Sequence, residues 1–153
     1  MALYLVQHGK NLPKEMDIHK GLSEEGIADV KRIADVARQY GIKVSKILHS
    51  GKTRARQTAQ IFASLLNVQS EIEEIEGIKP LDDVVKIAEK IDVSQNIMLV
   101  GHLPFMEKLT SYLVVGSDEK AIFKFQNGGI VCLDKESDSQ SWIIKWTLMP
   151  DIG

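Results

Sequence analysis

The chain has 153 residues, enough for one domain with a sizeable core, and its 44% hydrophobic and 26% charged content is ordinary for a globular protein. With 19 Lys+Arg against 21 Asp+Glu the formal net charge is -2, which excludes the basic excess of a nucleic-acid binder. No apolar stretch reaches the length of a membrane span, and the single cysteine, Cys132, excludes an internal disulfide.

The N-terminus runs straight into an apolar segment, without the basic region and cleavage site of a signal peptide, so a cytoplasmic location is expected. Ala2–Val6 reads as a short buried strand that delivers Gln7-His8-Gly9. Asn11 to Gly21 is a polar loop. Ser23 suits a helix N-cap, with Glu24 and Glu25 in the first turn. Ile27, Val30, Ile33, Ala34, Ala37 and Tyr40 recur at helical spacing, and Gly41 suits the stop.

Val44–Leu48 is an apolar, partly β-branched strand. A helix from about Lys52 to Asn67 follows, with Ala55, Ala59, Phe62 and Leu66 on one face. Ser70–Glu76 is acidic and ambiguous. Leu81–Ile91 is a helix, and Ile97–Val100 is a strand ending in Gly101-His102-Leu103-Pro104. Pro104 fits a first helical turn, continued by Leu109 and Leu113. Ile122–Gln126, Gly129–Leu133 and Trp142–Leu148 read as strands, the last two separated by a polar turn at Lys135–Ser141. This order predicts an α/β fold: a three-layer sandwich whose mostly parallel central sheet is flanked by helices. No repeat or linker interrupts it, so residues 1–153 are expected to form a single domain.

Four constellations compete for the chemistry. Gly51-Lys52-Thr53 has the ending of a phosphate-binding P-loop, but the Gly required five residues earlier is Lys46, so the backbone cradle cannot form. Cys132 lies within an apolar strand pattern and reads as a small buried hydrophobe. His8, His19, His49 and His102 show no metal-ligand spacing, and no Cys pair assists, so no metal is expected. His19 and His49 read as solvent-facing or capping residues.

There remain His8, Arg54 and His102, each just beyond an apolar run. Strand ends on one side of an open α/β sheet are where ligands bind. Neutral imidazole is a good phosphorus nucleophile near pH 7. Arg presents a planar fork to two phosphoryl oxygens, and a helix N-terminus adds backbone donors. A second, protonated His would stabilise the equatorial oxygens in the transition state.

These residues carry a family resemblance that spans nearly the whole chain. Leu5-Val6-Gln7-His8-Gly9 stands where the histidine phosphatase superfamily, the phosphoglycerate-mutase-like proteins, has an Arg-His-Gly signature. Leu22-Ser23-Glu24-Glu25-Gly26 is similar to the family's helix start, and Gly101-His102-Leu103-Pro104 to its second-His motif. The string from Ser50 through Arg54, Ala55, Gln57 and Thr58 to Ala59 is the specific one. The short interval before Ile97 leaves no room for a large lid insertion, so the sequence most resembles the compact SixA-type phosphohistidine phosphatases.

The resemblance implies that His8 becomes a phosphohistidine intermediate, that Arg54 binds the phosphoryl group and that His102 completes the pocket, with no cofactor. The substrate it implies is a phosphorylated His-containing phosphotransfer protein or a small phosphomonoester. Three departures matter. Gln7 replaces the signature Arg, Lys20 stands where such proteins often carry another phosphate-binding Arg, and Lys10 stands where an acid is common. Gln7, Gly9, Lys10 and Lys20 are therefore the expected substrate-binding residues, with either Lys replacing the missing charge. Glu76, before Gly77, is the candidate general acid, with Glu74 behind it. The rival expectation is a phosphoryl-binding module that the loss of the signature Arg has left weak or inactive.

Overall fold

In the computed structural model, residues 2–92 and 94–152 are described. The elements run β1 (Ala2–Gln7), α1 (Glu24–Gln39), β2 (Lys46–His49), α2 (Thr53–Leu65), β3 (Glu73–Glu74), α3 (Val84–Lys90), β4 (Ile97–Gly101), α4 (Phe105–Val115), β5 (Ile130–Lys135) and β6 (Trp142–Leu148). The strands form one 6-stranded sheet in the order β3-β2-β4-β1-β5-β6. β3, β2, β4 and β1 are mutually parallel, whereas β5 runs antiparallel to β1 and β6 antiparallel to β5.

The alternation of side chains along the strands divides the core into two layers. Tyr4, Val6, Ile47, Met98 and Val100 face α1 and α2, where Val30, Ile33, Ala59 and Phe62 complete the packing. Leu3, Leu5, Leu99, Val131 and Leu133 face α3 and α4, against Val84, Ile87, Phe105, Met106 and Leu109. β1, buried from Leu3 to Gln7, is sandwiched between the layers.

α1 starts as its sequence dictates. The Ser23 hydroxyl accepts from the Gly26 amide at 3.0 Å, and two acids lie in the first turn. Gly26 is required there, because a Cβ would overlap the Lys10 carbonyl. This close approach seats α1 against the segment that follows His8.

Two expectations fail. α3 begins at Val84 rather than Leu81, because Asp83 caps it by accepting from the Val85 amide. Ile122–Gln126 is no strand. β5 already has β1 and β6 on its two sides, and the segment instead lays Phe123 and Phe125 over the α3–α4 layer, rings edge to face at 5.8 Å. Among the described residues, no helix is long and apolar enough to cross a membrane.

Candidate active site

β2, β4 and β1 are adjacent, parallel and nearly level at their ends. Gln7 pairs with Gly101, and His49 with Val100. The first residue beyond each strand is therefore delivered to one place: Ser50 from β2, His102 from β4 and His8 from β1. The His8 amide donates to the Gly101 carbonyl at 2.9 Å, which carries the pairing one residue past β1. The two imidazoles lie 5.0 Å apart between centroids, tilted by 50°.

Both histidines are buried. His8 Nδ1 lies 2.7 Å from the Gly9 carbonyl, an acceptor only, so this nitrogen carries a proton and donates. In neutral His8 the lone pair is then on Nε2. Arg54, in the first turn of α2, directs its Nε–H toward that Nε2 at 3.4 Å. Burial lowers the His8 pKa to about 4; the bond to the Gly9 carbonyl opposes it, and Arg54 and Lys20 lower the pKa further. Burial takes His102 to about 3, helped by His8, Arg54, Lys52 and Lys20. At neutral pH both rings are therefore uncharged. Charging either would put a cation in a dry site beside other cations.

Arg54 is half-buried at the mouth, whereas Arg56 is exposed on another face of α2. Lys20 sits in a left-handed conformation (φ 51°) at the end of the 11–21 loop. Asp17 braces that loop through the His19 and Gly21 amides, and Gln57 accepts from the Leu22 amide at 2.7 Å. Lys20 and Lys52 both bear electrostatically on His102.

The other expected site residues fare differently. Lys10 is turned away: its ammonium pairs with Glu25 at 2.6 Å on the surface. The Gly9 amide is already used by Thr58 Oγ1 at 2.9 Å, so Gly9 orients His8 rather than donating to a ligand. Glu76 is exposed and lies two residues past β3, whose Glu74 pairs with His49 at the end of β2, so its backbone is at the carboxyl end of the sheet; it lines a groove with Leu48, Ile75 and Ile87. The carboxylate beside the site loop is Glu74, which occupies the space a Cβ on Gly51 would need. The left-handed backbone at Gly51 (φ 87°) favours glycine on conformational grounds, since Glu74 could swing aside from a Cβ. Gln7 is buried at the end of β1, and its Oε1 has no hydrogen-bond partner among the described residues.

His19 is exposed, as expected. His49 is buried and caps the Gly51 turn, accepting from its amide at 3.0 Å, so capping holds and solvent exposure does not. Cys132 is buried in β5, and burial raises its thiol to about 11, far from nucleophilic at neutral pH.

Sequence reasoning missed four contributors. Ser50 Oγ lies 2.6 Å from His102 Nε2. Thr58 donates to the Arg54 carbonyl at 2.8 Å while accepting from Gly9. Asn127 donates to the His8 carbonyl at 3.0 Å. Lys52 adds charge beside His102. Ser50 and Thr58 stood inside the most specific motif string, and Asn127-Gly128 is a turn signal, but their partners are distant in sequence.

Two buried imidazoles and a guanidinium above a helix start thus come together at the carboxyl ends of parallel strands. The chain belongs to the histidine phosphatase superfamily (branch 1), whose family model matches residues 3–82. It is 22% identical to the phosphohistidine phosphatase SixA of Escherichia coli strain K12 over 156 residues, covering 98% of this chain and 94% of that protein. The fold is similar to that of the protein histidine phosphatase SixA solved with tungstate, with TM-score 0.82, 21% identity and coverage of 98% and 97%. It is also similar to a structure from Agrobacterium tumefaciens described as a SixA-type phosphohistidine phosphatase, with TM-score 0.75, 29% identity and coverage of 97% of each chain. The sandwich is thus of the phosphoglycerate-mutase-like type.

Proposed function

We propose that this protein is a phosphatase that removes the phosphoryl group of a phosphohistidine protein through a phospho-His8 intermediate. The observation that carries the reading is the Nδ1 bond of His8 to the Gly9 carbonyl, which leaves Nε2 as a nucleophile beside Arg54 and His102. In the first step the Nε2 lone pair forms a bond to phosphorus in line with the leaving group. The P–N bond of the substrate breaks, and its electron pair returns to the departing imidazole, already protonated from solvent at its other nitrogen. In the second step water forms the new P–O bond, the P–Nε2 bond breaks, and the water proton passes to solvent.

Arg54 offers its fork to two phosphoryl oxygens, His102 supplies one hydrogen bond, and Lys20 and Lys52 add positive potential. Gln7 contributes a neutral amide where a guanidinium would add charge. A phosphohistidine substrate suits this set, because its leaving imidazole does not require a strong carboxylic acid in the site. A small phosphomonoester is the alternative substrate. The neutral Gln7 favours a second reading, a phosphoryl-binding module of low or no activity, since loss of one electrostatic donor costs ~10²–10³ in rate.

A steady-state assay separates them, with a phosphorylated His-containing phosphotransfer domain and generic phosphomonoesters as substrates for the wild type and His8→Ala. Turnover that disappears with His8→Ala supports the phosphatase. Absence of turnover, with phosphate binding that needs Arg54, supports the binding module.

A further inference from the structure

Ser50 makes two contacts through one hydroxyl. Its oxygen accepts from the Lys52 amide at 3.4 Å and faces His102 Nε2 at 2.6 Å. A serine hydroxyl has one proton to give. The Lys52 amide can only donate, so among the described residues the one available acceptor for that proton is His102 Nε2. At 2.6 Å the contact is short for a hydrogen bond to nitrogen and leaves no room for water between the atoms.

The polarity of this bond fixes the far side of the ring. If Nε2 accepts, a neutral imidazole must carry its proton on Nδ1. His102 Nδ1 is buried and has no partner among the described residues. A buried N–H without a partner is costly, and each one in a folded protein calls for an explanation, a functional ligand among them. It is also the one His102 nitrogen still free for a phosphoryl oxygen. Ser50 is itself 4% exposed, so it acts through His102 and not on the substrate.

We propose that Ser50 is a positioning residue, whose hydroxyl donates to His102 Nε2 and holds that ring as the neutral Nδ1–H tautomer, the form that donates to the phosphoryl group. The proposal rests on the phosphatase reading only for the identity of the ligand; the tautomer itself is independent of turnover. The cationic groups bearing on His102 are Arg54, Lys52 and Lys20, with His8 as the neighbouring titratable ring. All of them oppose charging it, so a neutral donor is the form consistent with the surroundings. A wrong tautomer would aim a lone pair at an anionic oxygen, turning an attraction into a repulsion.

The test is ¹⁵N NMR of histidine-labelled protein near pH 7, without ligand and with tungstate as the oxyanion probe, the His102 signals being assigned from His102→Gln. The expected wild-type spectrum has a protonated Nδ1 and an unprotonated, hydrogen-bonded Nε2, in both conditions. Ser50→Ala is expected to mix the tautomers. It should lower kcat at least ~10-fold, toward the ~10²–10³ of a lost donor, with a smaller change in KM. Ser50→Thr, which keeps the hydroxyl, should restore the wild-type tautomer. A proton on Nε2 or a cationic ring in the wild type overturns the proposal, as does an unchanged His102 spectrum in Ser50→Ala. The wild-type spectrum decides even if Ser50→Ala does not fold. An enzyme that shows the expected tautomer but no turnover would overturn the phosphatase reading and leave the role of Ser50 standing.

Discussion

Thr58 of α2 holds the Gly9 amide at 2.9 Å and the Arg54 carbonyl at 2.8 Å through a single buried hydroxyl. It thereby ties the segment that orients His8 to the turn of helix that presents Arg54. Thr58→Val keeps the shape but leaves the Gly9 amide unpaired in a dry site. The expected cost is about 1–3 kcal/mol in denaturant unfolding, with a fall in kcat because the His8–Arg54 geometry loosens. Thr58→Ser should retain most of both. A Thr58→Val protein with wild-type stability and kcat would show that the bridge positions nothing.

Arg54 and Arg56 provide an internal comparison. Arg54 is half-buried with its Nε 3.4 Å from His8, and Arg56 is exposed two residues along the helix. Arg54→Ala should weaken tungstate or phosphate binding by ~10-fold or more, and Arg56→Ala should change it by much less. Similar losses in a calorimetric titration would remove the role given to Arg54.

Gln7 is buried with an unpaired Oε1 where the family signature has Arg. Gln7→Arg supplies charge and a fork beside His8, and should raise phosphomonoester turnover by up to ~10²-fold, less where Lys20 and Lys52 already compensate. The same change adds a buried cation near Arg54, so the ligand-free variant should melt lower and recover on adding phosphate. A folded Gln7→Arg protein with lower turnover would mean that Gln7 is adapted to a less charged ligand.

The two histidines make stability depend on pH with a definite sign. Their folded pKa values, about 4 for His8 and about 3 for His102, lie below the ordinary histidine value. As pH falls through ~6.5 the unfolded chain takes up protons that the folded chain does not, so stability falls with acid. The loss is about 2 kcal/mol per histidine by pH 5. His102→Gln should remove about half of that dependence between pH 6.5 and pH 5 in chemical unfolding. kcat/KM should fall below about pH 4 as His8 Nε2 is protonated, and a profile still flat a full unit below that pKa would contradict its role as nucleophile.

The parallel strands and the residues that follow them were legible, because each motif stands directly after an apolar run and the sheet geometry places such ends together. The contacts of Lys10 and the Gly9 amide were not legible, because their partners, Glu25 and Thr58, are 15 and 49 residues away in sequence. β3 has two residues, too few for any periodicity, so the acidic stretch gave no sign that Glu74 rather than Glu76 lies against Gly51. The alternation that made Ile122–Gln126 look like a strand is real, but it places Phe123 and Phe125 on the core without any strand partner. Ser50 was visible in the motif, and only the 2.6 Å contact to His102 gives it a task.

The most direct measurement of the central claim is a rapid-quench experiment. The protein is mixed with a phosphorylated His-containing phosphotransfer domain, stopped in alkali at early times and weighed intact by mass spectrometry. The account predicts a transient gain of one phosphoryl group, acid-labile, located at His8 and absent from His8→Ala. Release of phosphate with no such adduct, or undiminished release by His8→Ala, would contradict it.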